Sequence, residues 1–177
     1  MDNHLNINPR CLELFNKGKY FEANRCFDEE LTLNPNEELL WNYKGICLGQ
    51  QKKFKEAITC FERATKTNPR LKSAWQNKGK SLSALERHEE SIECFERALD
   101  TDPNSFELLN FIGNALLELA CYDEALQYYD RSINVNPKYA STWNDKGCVL
   151  IEINQYQKAI DCFNPIFRRS PSQNNNF

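Results

Sequence analysis

The sequence predicts an all-α array of stacked helical hairpins, and three observations carry that expectation. Prolines stand at Pro35, Pro69, Pro103, Pro137 and Pro171, each 34 residues after the last. Other columns run in the same phase: Gly45, Gly79, Gly113 and Gly147; Ala23, Ala57, Ala125 and Ala159, with Ser91 as the small substitute; and Phe27, Phe61, Phe95, Tyr129 and Phe163. Within one period, Leu40, Trp41, Ile46, Cys47 and Leu48 fall on helical spacing, and Phe54, Ala57, Ile58, Phe61 and Ala64 repeat it after a short turn. A fixed period of this length marks a chain whose units bury their apolar faces only against their neighbours.

The elements follow in order. Asn8 caps a shortened first helix that starts at Pro9, because proline is tolerated at the first helical position. Asn16-Lys17-Gly18-Lys19 and Gln51-Lys52-Lys53 are the turns inside the hairpins. Asn34, Asn68, Asp102 and Asn136 end the second helices, since a residue before proline is pushed out of helical angles. The column glycines lie inside first helices, where each costs about 1 kcal/mol relative to alanine. Close helix packing is the expected compensation. The column Trp and Phe residues are expected in the core. Cys11 replaces the glycine in the first repeat, as expected where no repeat precedes. Pro165 should kink the last helix or stop it near Asn164.

The stretches Trp41-Asn42-Tyr43-Lys44-Gly45, Trp75-Gln76-Asn77-Lys78-Gly79 and Trp143-Asn144-Asp145-Lys146-Gly147, with the Ala, Phe and Pro columns, resemble the tetratricopeptide repeat family. The resemblance implies a right-handed superhelical solenoid of antiparallel helix pairs. It places one five-repeat domain at 4–173, with repeats 4–37, 38–71, 72–105, 106–139 and 140–173, between tails at 1–3 and 174–177.

The resemblance also implies that first helices line a concave groove. Its peptide-contacting positions would be Asn42, Gln76, Asn110 and Asn144 in one column, then Tyr43, Asn77, Phe111 and Asp145, then Lys80 and Asn114 a turn later. An amide column offers donors and acceptors to the backbone of an extended peptide. It fits equally a solvated helix face in an Asn-rich chain. The clamp by which some family members grip chaperone tails needs a cage of cations. The matching places carry Asn42, Ile46, Asn77, Glu107 and Phe111, or, one repeat later, Gln76, Lys80, Phe111, Ser141 and Asp145. Neither set supplies that cage.

A net charge of −3 argues against a nucleic-acid face. The cluster Lys52, Lys53, Lys55, Lys66 and Arg70 reads as a solvated helix edge. No apolar run reaches membrane length, and residues 1–10 show no signal-peptide core. The eight cysteines lack Cys-x-x-Cys spacing. They read as packing thiols in a reducing, cytoplasmic compartment, with no metal and no cofactor. The sequence carries no nucleophile motif or phosphate-cradling loop. It is therefore expected to be a noncatalytic scaffold for a protein or peptide, with no nucleic-acid or membrane partner. The alternative is self-assembly into a homo-oligomer through the terminal helices.

Overall fold

The computed structural model describes residues 7–164. Among them are ten helices and no strand: α1 (Pro9–Asn16), α2 (Tyr20–Leu33), α3 (Glu38–Gln50), α4 (Phe54–Thr67), α5 (Lys72–Ser83), α6 (His88–Leu99), α7 (Phe106–Glu118), α8 (Tyr122–Val135), α9 (Ala140–Glu152) and α10 (Tyr156–Phe163). The chain divides into two compact units, Met1–Cys94 and Phe95–Phe177, with the boundary inside α6.

Asn8 caps α1 as expected, its Oδ1 accepting from the Arg10 backbone N–H at 3.0 Å, with Pro9 at the helix start. Asn34, Asn68 and Asn136 end α2, α4 and α8. The fourth expected stop differs: α6 ends at Leu99, short of Asp102. There the Thr101 hydroxyl donates to the Ala98 carbonyl at 2.8 Å, and the Thr101 and Asp102 amides bond three residues back, which tightens the last turn. At the far end α10 stops at Phe163 with Asn164 extended. Pro165, Arg168, Arg169 and Pro171 lie outside the described residues, as does His4.

Every hairpin turn uses one backbone device. Gly18, Lys52, Glu86, Ala120 and Asn154 all have φ between 57° and 71°, at one position of the period. In each turn the left-handed residue donates three residues back and its successor donates five back, as in Lys52 to Gly49 and Lys53 to Leu48, both at 2.9 Å. Only the first turn places glycine there.

The core is made where an aromatic of the second helix lies on a glycine of the first. A methyl built on Gly45 would sit 2.5 Å from Phe61, one on Gly113 2.5 Å from Tyr129, and one on Gly147 2.5 Å from Phe163. Phe27, Phe61, Phe95 and Tyr129 are essentially inaccessible, as are Ala23, Ala57 and Ala125 beside them. The column tryptophans are half-buried and pack against the core, as expected. Each indole N–H also donates to the carbonyl of the preceding column proline: Trp41 to Pro35 at 2.8 Å, and Trp75 to Pro69 and Trp143 to Pro137 at 2.9 Å. Trp and Pro are thus one interaction, six residues apart.

Ion pairs join each of three first helices to the second helix before it: Lys44 to Asp28, Lys78 to Glu62 at 3.1 Å, and Lys146 to Asp130 at 2.5 Å. Ile112 stands where the fourth lysine would, and there Glu96 accepts from the Tyr128 hydroxyl at 3.5 Å.

The cysteines require a correction. Cys11 and Cys26 form a disulfide across the first hairpin, with Cα atoms 5.4 Å apart, so the all-thiol expectation fails at this pair. Equivalent cysteines of successive repeats stand an interhelical spacing apart, whereas these two residues face each other within one hairpin. The Cys11 side chain occupies the place where later first helices have glycine. Cys47, Cys60, Cys94 and Cys162 are buried and take part in no disulfide, while Cys148 is exposed. Burial pushes Cys47 up to about 12 and Cys60 and Cys94 up to about 11.

Gly113→Ala should destabilise the protein by about 1–2 kcal/mol, because overpacking against a buried ring exceeds the helix-propensity gain. Gly49→Ala, with nothing within 4 Å of the added methyl, should stabilise it by about 0.5–1 kcal/mol; urea unfolding of both variants reads the contrast. The thiols whose folded pKa is raised contribute stability that is complete below the unfolded value near 9 and is lost as pH climbs through about 11–12. A disulfide-intact sample at pH 8 should therefore show Cys148 alkylated first, with Cys47, Cys60 and Cys94 protected until urea unfolds the chain.

Candidate functional site

In the first unit the candidate face is carried by α3 and α5. Asn42 is buried: its Nδ2 donates to the Ser73 hydroxyl at 3.4 Å, and its Oδ1 accepts from Asn77 Nδ2 at 3.3 Å. Tyr43 is half-buried, stacked on Phe27 at 5.6 Å between centroids and edge-on to Phe15 at 5.1 Å. Gln76 and Asn77 are half-buried and Lys80 is exposed. A pocket of about 150 Å³ opens beside them, lined by the apolar Ile46, Gly49, Phe54 and Phe61 and by the polar Gln50, Asn77, Lys80 and Ser81.

In the second unit the corresponding helices are α7 and α9. Asn110 is buried and donates from Nδ2 to Asp145 Oδ2 at 2.8 Å; the Ser141 hydroxyl reaches the same oxygen at 3.4 Å. Asn114 accepts the Tyr129 hydroxyl at 2.7 Å. Burial, with Asp145 nearby, pushes the Tyr129 phenol well above its ordinary range, so it is a neutral donor. Phe111 is half-buried against Phe95, 5.4 Å between centroids, and Asn144 is exposed.

The expected amide column is therefore divided. Asn42 and Asn110 tie their helix to the next first helix, through Asn77 in one unit and Asp145 in the other, both 35 residues on. Gln76, Asn77, Asn114, Asn144 and Asp145 retain access to solvent. Sequence reasoning missed two features, each with a usable signal. Gly49 breaks a column otherwise filled by Phe15, Ser83, Leu117 and Ile151, and it opens the pocket. Tyr129 is the one hydroxyl in a phenylalanine column, and it fixes Asn114.

A site of this kind can hold a backbone or side chains by hydrogen bonds and apolar contact. Among the described residues no three His, Cys, Asp or Glu side chains come together as metal ligands would. Among the same residues no helix is long and apolar enough to cross a membrane.

The pattern described as tetratricopeptide repeat matches residues 39–71 and 73–105, again 106–139, and 128–161 in a variant form. No curated protein matches the chain in sequence. Among solved structures, residues 41 to the end of MamA from Desulfovibrio magneticus RS-1 are similar, with a TM-score of 0.85 and 17% identity over 94% of each chain. A MamA RS-1 double mutant gives 0.85 and 17% over 95% of this chain and 94% of that one. YrrB, described as having an unusual peptide-binding site, gives 0.74 and 20% over 86% of this chain and 78% of its own. These likenesses show the fold, an all-α array of antiparallel helix pairs of the solenoid class. With matches that together span 39–161, well over half of its length, the chain belongs to the tetratricopeptide repeat family.

Proposed function

We propose that the protein is a noncatalytic interaction scaffold that holds an extended peptide against the exposed faces of its first helices. The observation that carries this reading is the pair of fixed polar groups in the second unit. Asn114 is held through its oxygen by Tyr129, and Asp145 through one oxygen by Asn110 and Ser141. The Asn114 amide hydrogens and the second Asp145 oxygen are thereby positioned for a ligand backbone, with little rotamer entropy left to lose on binding. The exposed Asn144 lies in the same helix as Asp145. Gln76, Asn77 and Lys80 supply the face in the first unit, while Asn42, Tyr43, Asn110 and Phe111 set its geometry. The description of YrrB as a peptide-binding repeat protein supports the same use of the fold.

A second reading, association of two copies, has its own observation. Ile160 is 58% exposed, whereas its counterpart Ile58 is 6% exposed. The α1 positions that match Tyr43 and Cys47 are Pro9 and Glu13, both exposed and ill-suited to covering an apolar face. Association would therefore be isologous, through α10 of each copy.

Asn114→Asp keeps the acceptor for Tyr129 and removes the amide donor. Combined with Asn144→Ala, it should weaken peptides selected on the wild-type protein by about tenfold or more, with the helical signal intact. Unchanged affinity would reject the peptide reading. Ile160→Glu should abolish any concentration-dependent sedimentation, and a monomer at every wild-type concentration would reject the second reading.

A further inference from the structure

We infer that the pocket over Gly49 is a specificity pocket for one aliphatic side chain, of leucine or isoleucine size, in an acidic extended peptide. This inference rests on the peptide-binding reading above and names the partner's chemistry. Two glycines of α3 are four residues apart, yet only one is explained by packing. Phe61 presses on Gly45, where a methyl would lie 2.5 Å from the ring, while a methyl on Gly49 would meet nothing within 4 Å. A glycine inside a helix weakens it, and at Gly49 no packing contact offsets that loss. Its effect is the opening itself, at a position held by Phe15, Ser83, Leu117 and Ile151 in the other hairpins.

Size and lining select the occupant. About 150 Å³ is half the lower bound of roughly 300 Å³ for small-molecule sites. It equals the room of roughly five waters, which suits a four-carbon side chain. Ile46, Phe54 and Phe61 give it apolar lining, and Asn77 and Ser81 give polar lining able to bond a peptide backbone. Charge selects the flanking residues. Lys80 lines the pocket, and the exposed Lys52, Lys53 and Lys55 adjoin the lining residues Gln50 and Phe54 in the chain. Acidic groups on either side of the anchor complement that edge.

A random dodecapeptide phage library panned on the whole protein tests this directly. Selected peptides should share one Leu, Ile or Met flanked by Asp or Glu. Replacing that anchor by Ala should weaken binding roughly tenfold to a hundredfold. Gly49→Leu fills the pocket from within the helix and should cause a similar loss, with an unchanged or raised melting temperature; Gly49→Ala should give an intermediate loss. Selected peptides without an aliphatic anchor, or equal affinity for wild type and both Gly49 variants, would overturn the inference. If such peptides still lose affinity to a Gln76→Ala protein, which alters the first-unit face outside the pocket lining, the binding face stands and only the pocket falls. Failure to select any peptide would overturn the binding face as well.

Discussion

The constraint on which the rest of the structure depends is the contact of an aromatic ring with a bare helix backbone. Gly45 under Phe61, Gly113 under Tyr129 and Gly147 under Phe163 leave no space for even one methyl group. That contact sets how closely the two helices of a hairpin lie, and it takes the rings of Phe61 and Tyr129 out of water. It also explains deviations elsewhere. Tyr129 fits the phenylalanine column only because its hydroxyl leaves the core and finds Asn114. In the first hairpin Cys11 fills the glycine's place, and its sulfur bonds Cys26, the residue next to Phe27. The expectation that the glycines serve neighbouring helix backbones is thus refined: in these three hairpins they serve a ring of the same hairpin.

Much of this was legible because period and residue size are written directly in the chain. The helix pairs, the Asn8–Pro9 start and the stops at Asn34, Asn68 and Asn136 follow from local rules that tertiary packing does not override. Other features hid behind side chains that do not announce their backbone state. The left-handed turn residue is glycine once, at Gly18, and otherwise Lys52, Glu86, Ala120 or Asn154. Each tolerates the strain because two backbone hydrogen bonds close the turn around it. The role of Trp could not be read from its size, since what places it is its N–H on a proline carbonyl. The disulfide was missed because a comparison by column cannot see two different columns facing each other.

The candidate site was legible at the level of helices and less so for individual residues. Counting positions put Asn42 and Asn110 beside Gln76 and Asn144, but adjacent residues on a helix differ in direction by about 100°. A small rotation of a helix therefore decides which column faces its neighbour and which faces solvent. Here the buried amides became ties between successive first helices. Asn77 and Asp145 on the exposed side are held by those ties, and Asn114 is held by Tyr129. Charge follows a similar division. The lysines Lys44, Lys78 and Lys146 are spent on ion pairs between hairpins, whereas Lys52, Lys53 and Lys55 remain at the solvent edge.

The most direct measurement of the central contact is by NMR on the labelled protein. Cross-relaxation between the α-protons of Gly45 and the ring of Phe61, and between those of Gly113 and the ring of Tyr129, reads the distance itself. The account requires strong cross-peaks for both pairs, with the glycine α-protons displaced by ring currents. Absent cross-peaks and ordinary glycine shifts would contradict it, since the aromatic side chains would then be packed elsewhere.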